Sequence, residues 1–281
     1  MNMYYDQDVI CDTAWVESNL DNPNVKILEV DYDVENAYKV GHIRGAHMVW
    51  WKKDINDLIR RDIIDKKQFE SLMSKVGATK DTILVLYGDF NNWFAAFAFW
   101  VFKYYGHKNI KLMNGGRKKW ELEGKSYTTD EPEPSNSQYI SEPPDEGLRA
   151  YLPDVKRALE KTETALVDVR SAKEFSGEIS APPEYPMEHA QRAGHIPTAK
   201  NIPWIEAVNN DGTFKGVNEL KELYYNKGIT PDKHIICYCR IGERSSHTWF
   251  VLKYLLGFPS VRNYDGSWTE WGNMIGNPIE K

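Results

Sequence analysis

The sequence predicts an α/β protein in which one domain, a mostly parallel sheet flanked by helices, occurs twice in tandem. In each half, short runs rich in β-branched and aromatic residues alternate with helical patterns, and strands separated by helices imply crossover connections and parallel pairing. The runs are VKILEV, ILVLY and IKLM in the first half and TALVDV, IICYC and SVRNY in the second. In such sheets, functional sites form where strands end and helices begin.

The evidence for two copies is a set of matched segments that occur in the same order in both halves. ILVLYGD, which begins at Ile83, matches HIICYCR, which begins at His234. Further pairs are ILEVD with LVDVR, GHIRGA with GHIPTA, and NGGRKKW with DGSWTEW. A repeat this long indicates a duplicated domain rather than a solenoid of small units.

Changes in composition mark the boundaries of the two copies. Between them Pro, Ser, Asp and Glu accumulate and hydrophobic periodicity disappears, which is typical of a linker. We therefore expect a first domain over residues 1–125, a linker over 126–147 and a second domain over 148–281. The second copy contains an extra stretch, Ser176 to Gly194, which we expect to be a surface loop near the site.

Charge and hydropathy argue against several classes of partner. The 281-residue chain has a net charge of -6 and no long basic block, so nucleic acid and anionic membranes are not expected partners. The N-terminal segment is acidic where a secretory signal would be basic, and we expect a cytoplasmic protein. The most apolar run, Phe94 to Tyr105, is shorter than the roughly 20 residues that a membrane span needs.

Cys239 ends the strand IICYC and precedes a short loop rich in Gly, Arg and Ser. Ser245 or Ser246 is a good N-cap, so we predict that a helix begins there and directs its N–H groups at the sulfur, with positive charge from Arg240 and Arg244. These features favour the thiolate, because a fall in pKa from ~8.5 to ~6.5 would raise the ionised fraction at pH 7 from about 3% to about three-quarters. The sequence therefore predicts an accessible, anionic cysteine nucleophile.

The other cysteines and three histidines have structural interpretations. Cys237 is expected to be a core residue, and Cys11 offers no recognisable ligand spacing, so we predict neither a disulfide framework nor a metal site. His42 and His195 recur in both halves, including the half without the cysteine loop, which favours a structural hydrogen-bonding role over catalysis. His247 lies in the first turn of the predicted helix and is expected to be solvated.

The CRIGERS loop with its strand and helix, the paired GHI segments and the DGSWTEW tail together resemble the two-domain rhodaneses, which are thiosulfate sulfurtransferases. The resemblance covers nearly the whole chain. It implies two tandem rhodanese-like domains, of which only the second keeps the cysteine, because Gly88 and Asp89 occupy the matching place in the first. It also implies that Cys239 attacks thiosulfate, holds a persulfide and passes sulfur to cyanide or a thiol, with no cofactor.

The resemblance further implies a set of substrate-binding residues. The main-chain amides of the loop would stabilise the persulfide, and the arginines would bind the sulfonate end of thiosulfate. These loop residues are Arg240, Ile241, Gly242, Glu243 and Arg244. Asp168 and Arg170 match a strand that faces the site in related enzymes, and they either brace the loop or contact substrate. Glu174 stands where some members carry a binding Arg, and Arg192 is a candidate to compensate.

Several alternatives stay open. A cysteine phosphatase would carry Arg six positions after the nucleophile, whereas here Ser245 is sixth and Arg244 fifth, which gives a tighter ring of amides suited to one sulfur atom. 3-Mercaptopyruvate sulfurtransferases have small, neutral loops, so this charged loop favours thiosulfate. A non-catalytic sulfur carrier is a third possibility. Trp204 and Trp268 are candidates to wall the pocket, and neither the physiological acceptor nor the oligomeric state can be read from the sequence.

Overall fold

The computed structural model describes residues 3–182 and 189–281. Its contacts group the chain into two compact units. The N-terminal unit comprises Asp6–Asp145 and Asn209–Phe214, and the C-terminal unit comprises Glu146–Val208, Lys215–Lys281 and the residues before Asp6. Part of the predicted surface loop, residues 183–188, lies outside the described residues.

The N-terminal unit is built on a five-stranded sheet in the order β1-β7-β6-β2-β3, in which every neighbouring pair is parallel. A short antiparallel pair, β4 with β5, lies outside this sheet. The elements are β1 (Ile10–Cys11), α1 (Thr13–Ser18), β2 (Val25–Asp31), β3 (His47–Trp50), α2 (Trp51–Asp54), β4 (Asn56–Asp57), β5 (Asp62–Ile63), α3 (Lys66–Lys75), β6 (Ile83–Tyr87), α4 (Asp89–Tyr104), β7 (Ile110–Met113) and α5 (Gly116–Leu122).

The C-terminal unit repeats this plan with a four-stranded parallel sheet in the order β11-β10-β8-β9. The predicted fold class is therefore confirmed. The elements are α6 (Leu152–Ala158), β8 (Thr164–Asp168), α7 (Ala172–Phe175), β9 (Lys200–Asn201), α8 (Val217–Tyr225), β10 (His234–Tyr238), α9 (Glu243–Phe250), β11 (Val261–Asn263) and α10 (Ser267–Asn273).

Strands β6 and β10 are largely apolar, as is typical of a parallel sheet that helices cover on both faces. In β10, Ile235, Ile236, Cys237 and Tyr238 are all buried, which accounts for the run without alternation. The predicted core position of Cys237 is confirmed. Tyr238 pairs in register with Asp168, so the carboxyl ends of β10 and β8 meet at one edge of the sheet.

The predicted N-cap of the helix after Cys239 was wrong, because the N-cap is Gly242, three residues before Ser245 and four before Ser246. Helix α9 begins at Glu243 rather than after Ser245 or Ser246, and a π-helical turn, Val251–Leu255, continues it. The chain turns into α9 through Gly242, whose φ of 104° lies in the left-handed region that glycine adopts without strain. Both serines lie inside the helix, where their hydroxyl groups donate to the carbonyl oxygen of Gly242.

The two GHI segments have the same hydrogen-bonding role in their respective units. The ring nitrogens of His42 bind the carbonyl oxygens of Tyr38 and Asp130, and the ring stacks on Tyr38. The ring nitrogen Nδ1 of His195 binds the carbonyl oxygen of Phe175, and the imidazole stacks on the phenyl ring of Phe175. These contacts support the structural interpretation of both histidines.

Within the described part of the chain, no helix is both long and apolar enough to cross a membrane.

One backbone position is a direct test of the packing in the N-terminal unit. Gly116 has a φ of 55°, and a β-carbon there would overlap the side-chain oxygen of Asn92. We expect Gly116→Ala to lower the free energy of unfolding by about 2–4 kcal/mol, because left-handed strain and steric overlap add together. Chemical denaturation measures the change.

Gly124→Ala is the matched control for this substitution. Gly124 has a similar φ of 67°, but nothing lies within 4 Å of the position of its added β-carbon. This variant should lose only the cost of the strain, about 1–2 kcal/mol. Equal losses in the two variants would contradict the role of the contact with Asn92.

Candidate active site

The Cys239 side chain lies where β10 ends, and it has no exposed surface. The main-chain N–H of Gly242 donates to its Sγ over 3.2 Å, and the Ser245 hydroxyl approaches the same atom at 3.6 Å. The sulfur therefore occupies the interior of the predicted loop, where it accepts from the N–H of Gly242 and lies beside the Ser245 hydroxyl, whose shortest hydrogen bond, 2.7 Å, is to Asn263. Such an arrangement can stabilise negative charge on sulfur without reorganisation.

Neighbouring elements hold the loop from outside. Asn263, at the end of β11, accepts a hydrogen bond from the Ser245 hydroxyl and donates to the carbonyl oxygen of Gly242 and the hydroxyl of Ser246. At the start of α10, the N–H of Trp268 donates to the carbonyl oxygen of Cys239. The loop amides are thus positioned by residues that are themselves fully buried.

Ser267, which binds the main chain of Cys239, has an unusual backbone conformation. Its φ is 53°, in the left-handed region, and its hydroxyl accepts a hydrogen bond from the N–H of Cys239 and donates to the carbonyl oxygen of Tyr264. The matching residue of the N-terminal unit is Gly116, which adopts the same conformation without a side chain. The Ser267 hydroxyl thus makes a hydrogen bond that glycine could not make, from a backbone conformation that is strained for serine.

The corresponding loop of the N-terminal unit has lost this geometry. Phe90, Asn91 and Asn92 all adopt left-handed conformations. The side-chain oxygen of Asn92 accepts a hydrogen bond from the N–H of Gly88, the counterpart of the Cys239 N–H that Ser267 binds. The side-chain oxygen of Asn92 thus makes the hydrogen bond that the Ser267 hydroxyl makes in the C-terminal unit.

Glu243 contacts the Cys239 side chain directly. Its carboxylate accepts a hydrogen bond from the Cys239 thiol, with Sγ to Oε2 at 3.4 Å. Its other oxygen lies 3.6 Å from Nε of Arg244. Glu243 has no exposed surface, so its charge depends on these neighbours for compensation.

Arg244 forms a buried ion pair that the sequence analysis did not predict. Its two terminal nitrogens donate to the two carboxylate oxygens of Glu174 over 2.9 and 3.0 Å. Glu174 also accepts from the N–H and hydroxyl of Ser171 at the start of α7. Arg244 lowers the pKa of Glu174 to about 2 against the opposing effect of burial. Its charge is therefore largely matched by acids within the protein.

The predicted low pKa of Cys239 was wrong for this state of the protein. Burial raises the pKa of the thiol, and the neighbouring carboxylate of Glu243 raises it further. Arg244 and hydrogen bonds from Ser245 act in the opposite direction but do not reverse the shift. Cys239 is therefore a buried thiol rather than an exposed thiolate, and generating the nucleophile requires a group that accepts its proton.

Asp168 and Arg170 form a second buried ion pair at the end of β8, with a nitrogen to oxygen distance of 2.6 Å. Arg170 also donates to the carbonyl oxygen of Gly194 and lies over the ring of Trp268. These contacts support the predicted role of Asp168 and Arg170 in bracing the loop. One nitrogen of Arg170, Nη1, is buried and makes no hydrogen bond to the described residues, so contact with substrate stays a prediction.

Two other residues differ from expectation. Arg192 does not compensate for a missing binding Arg, because its guanidinium donates to four carbonyl oxygens in and after α10, at Trp271, Gly272, Met274 and Asn277. His247 is buried rather than solvated, burial lowers its pKa to about 3, and its ring meets that of Trp204. Trp268 is fully buried.

The structure thus brings Cys239, Gly242, Glu243 and Arg244 together and adds Glu174 to them. Arg240 and Ile241 are buried in the same loop. The capping pattern Ser-x-x-Glu, from Ser171 to Glu174, signals a helix that begins after Ser171, but no sequence pattern pairs Glu174 with Arg244, which is 70 residues away. Among residues 3–182 and 189–281, no group of three or more metal-binding side chains occurs.

Comparisons with known proteins place this architecture in one family. The profile of the Rhodanese-like domain matches residues 12–123 and 152–274. A protein of Thermus thermophilus, "Sulfur carrier protein TtuD", is 54% identical over 281 residues, which are 99% of this chain and 98% of that protein. A protein of Saccharopolyspora erythraea, "Putative thiosulfate sulfurtransferase", is 51% identical over 98% of this chain and 96% of its own.

Solved structures show a similar arrangement along the whole chain. EanB in complex with ergothioneine superposes with a TM-score of 0.89 at 25% identity, covering 100% of this chain and 72% of that one. A second EanB structure, described as a cysteine persulfide in a tetrahedral intermediate state with ergothioneine, has the same TM-score, identity and coverage.

The ion pair between Arg244 and Glu174 predicts a pH-dependent contribution to stability. The folded-state pKa of Glu174, about 2, is below its ordinary value of 4.5, so the contribution is complete above about pH 4.5 and is lost as the pH falls towards 2. The shift corresponds to about 3 kcal/mol. We expect Glu174→Gln to lower the free energy of unfolding by about that amount at pH 7, as urea denaturation would measure.

The control is the same comparison at lower pH. The difference between the wild type and Glu174→Gln should shrink steadily between pH 4.5 and pH 3, because the wild-type carboxylate gains a proton on unfolding. A difference that does not change over this range would show that the pair contributes nothing electrostatic.

Proposed function

The chain belongs to the rhodanese family of sulfurtransferases, and we propose that it moves the outer sulfur of thiosulfate to an acceptor through a persulfide on Cys239. The observation that carries this proposal is the contact of Cys239 Sγ with the main-chain N–H of Gly242 and the hydroxyl of Ser245. These donors face the place where a second sulfur would carry negative charge. A cytoplasmic location stays a prediction from the sequence.

The proposed first step is attack on thiosulfate. The Cys239 thiolate forms a bond to the outer sulfur, the sulfur–sulfur bond of thiosulfate breaks, and sulfite leaves with the electron pair. The charge of the persulfide then resides on its terminal sulfur. Fixed N–H dipoles around the loop stabilise that charge without reorganising during the reaction.

The proposed second step regenerates the cysteine. Cyanide or a thiol attacks the terminal sulfur, the bond to Sγ breaks, and Cys239 leaves with the electron pair. Covalent transfer in two halves divides one difficult exchange into two easier ones. The donor and acceptor therefore do not have to be bound at the same time.

The sulfonate end of the donor needs cationic partners. Arg244 is neutralised by Glu174, so we assign it a smaller share of this contact than the sequence suggested. We expect Arg240 in the loop, with the buried Nη1 of Arg170, to bind the sulfonate oxygens through charge-assisted hydrogen bonds. Because Cys239 has no exposed surface, the donor must enter through a conformation more open than the one described.

A sulfur carrier is the second candidate function, and the 54% identity to "Sulfur carrier protein TtuD" favours it. A carrier would load the same persulfide but release sulfur to a specific acceptor rather than to cyanide. The buried thiol is compatible with this role, because burial protects a loaded sulfur from unselective acceptors. 3-Mercaptopyruvate is less favoured as a donor because the loop is charged, and a phosphatase is less favoured because the loop is one residue shorter.

The first prediction from this proposal concerns the persulfide itself. Incubation of the protein with thiosulfate should add one sulfur atom, and tandem mass spectrometry should place that atom on Cys239. Cys239→Ala should abolish the adduct, because the other cysteines are buried away from the loop donors. Cys237→Ala is the matched control and should keep the adduct, whereas an adduct on Cys237 in the wild type would refute the proposal.

A second prediction separates the enzyme from the carrier. With thiosulfate and cyanide together, an enzyme should form thiocyanate over many turnovers, whereas a carrier should form at most about one equivalent per protein. Thiosulfate and 3-mercaptopyruvate compared side by side identify the donor. Sustained turnover with 3-mercaptopyruvate but not with thiosulfate would contradict the assignment of the donor.

A further inference from the structure

Glu243, whose side chain contacts that of Cys239, carries a negative charge, and a negative charge disfavours formation of the thiolate. Glu243 is the first residue of α9, and its Oε2 accepts the thiol hydrogen of Cys239 at 3.4 Å. Both side chains are fully buried. A carboxylate at this distance opposes ionisation of the thiol, because two negative charges would share a site without solvent.

The second carboxylate oxygen of Glu243, Oε1, has weaker contacts than Oε2. Oε1 lies 3.6 Å from Nε of Arg244 and makes no hydrogen bond to the described residues. The carboxylate is therefore placed by the start of the helix and by one cation, with its other oxygen directed at sulfur.

We propose that Glu243 is a catalytic base that accepts the Cys239 proton as sulfur attacks and returns it when sulfur leaves. This inference rests on the proposed function, because it assigns the proton of the same persulfide cycle. In the resting pair the proton is on sulfur and Glu243 is anionic. In the reacting pair the proton is on Glu243, so the pair keeps a single negative charge while it meets a dianionic donor.

The proton and the electrons balance over the cycle. As the Cys239 thiolate forms its bond to the outer sulfur of thiosulfate, sulfite departs with the electron pair and Glu243 holds the proton. After cyanide takes the terminal sulfur as thiocyanate, the proton returns from Glu243 to the released thiolate. The cycle takes no proton from solvent and needs no oxidant or reductant.

The other charged groups around Cys239 and Glu243 do not explain a protonation change in this site near neutral pH. Arg244 lies against Glu243, and behind it Glu174, from α7, has a pKa of about 2. Arg240 follows Cys239 in the loop, and Arg170 is paired with Asp168 at the end of β8.

Two further titratable groups come from the elements on either side of the loop. Burial raises the pKa of the Cys237 thiol on β10 and lowers the pKa of His247 on α9 to about 3, so both are neutral at pH 7. The pair itself is therefore the group whose proton the pH profile should report.

The test is the rate of persulfide formation from thiosulfate as a function of pH, in the wild type and in Glu243→Gln. The wild-type rate should change little between pH 6 and pH 8.5, because the resting and reacting forms bind the same number of protons. In Glu243→Gln the proton must leave to solvent, so the rate should rise about tenfold per pH unit. At pH 7 we expect a loss of about 100-fold, within the usual range for removal of a general base.

A second measurement separates proton transfer from a simple charge effect. The thiolate absorbance near 240 nm, taken as the difference from Cys239→Ser in the same background, gives the pKa of Cys239. Glu243→Gln removes a negative neighbour, so this pKa should fall while the rate at pH 7 also falls. A lower pKa with an equal or faster rate would overturn the proposal and leave Glu243 as a charge that only suppresses the thiolate.

Two matched variants control for structural damage. Glu243→Asp keeps a carboxylate on a shorter side chain and should keep the flat pH profile at a reduced rate. Glu174→Gln removes the other acid that contacts Arg244 and should also keep the flat profile, whatever its effect on rate. A slope of tenfold per pH unit in Glu174→Gln would overturn the assignment, because any loss around Arg244 would then give the same result.

Alkylation by iodoacetamide separates this inference from the proposed function. This neutral reagent reacts with Cys239 whether or not thiosulfate is a donor, and it should show the same contrast of flat and rising pH profiles. If the wild type forms no persulfide, the proposed function fails while alkylation still tests the base. If the persulfide forms but the profiles of the wild type and Glu243→Gln coincide, the base is refuted alone.

Discussion

The structure around Cys239 depends on one constraint: the charged side chains buried around its loop must compensate each other. A thiol, a carboxylate, a guanidinium and a second carboxylate follow one another as Cys239, Glu243, Arg244 and Glu174. Leaving any of these charges without a partner would cost several kcal/mol, so each side chain fixes the state of the next. The arrangement pairs Arg244 with Glu174 and raises the pKa of the Cys239 thiol, and in our proposal Glu243 accepts the proton of that thiol.

The duplicated architecture shows which features belong to the fold and which belong to the site. Parallel sheets and the histidine that binds a backbone carbonyl occur in both units, so they are requirements of the fold. The hydroxyl of Ser267 and the carboxylate of Glu243 occur only beside the cysteine. In the N-terminal unit their places are taken by Gly116 and Asn92, and the Asn92 side chain binds the N–H of Gly88 in the space beside Gly116. These differences between the two units lie around the position of the Cys239 side chain.

Local patterns in the sequence were sufficient to predict the fold and the position of Cys239 at the end of a strand. Apolar strands alternating with helices specify parallel sheets, and the strand end at Cys239 follows from the pattern around it. The start of α9 was misplaced because Ser245 and Ser246 resemble N-caps, whereas the left-handed turn at Gly242 begins the helix earlier. The pKa was mispredicted because arginines are visible as neighbours along the chain, while the acids that face them are set by tertiary packing and desolvation.

The most direct test of the account is a crystal structure of the protein after treatment with thiosulfate. The account predicts one additional sulfur on Sγ of Cys239, within hydrogen-bonding distance of the N–H of Gly242, with Arg244 still bound to Glu174. An unmodified Cys239 beside a second sulfur on Cys237 would contradict the account. So would a persulfide whose terminal sulfur is directed away from the loop amides.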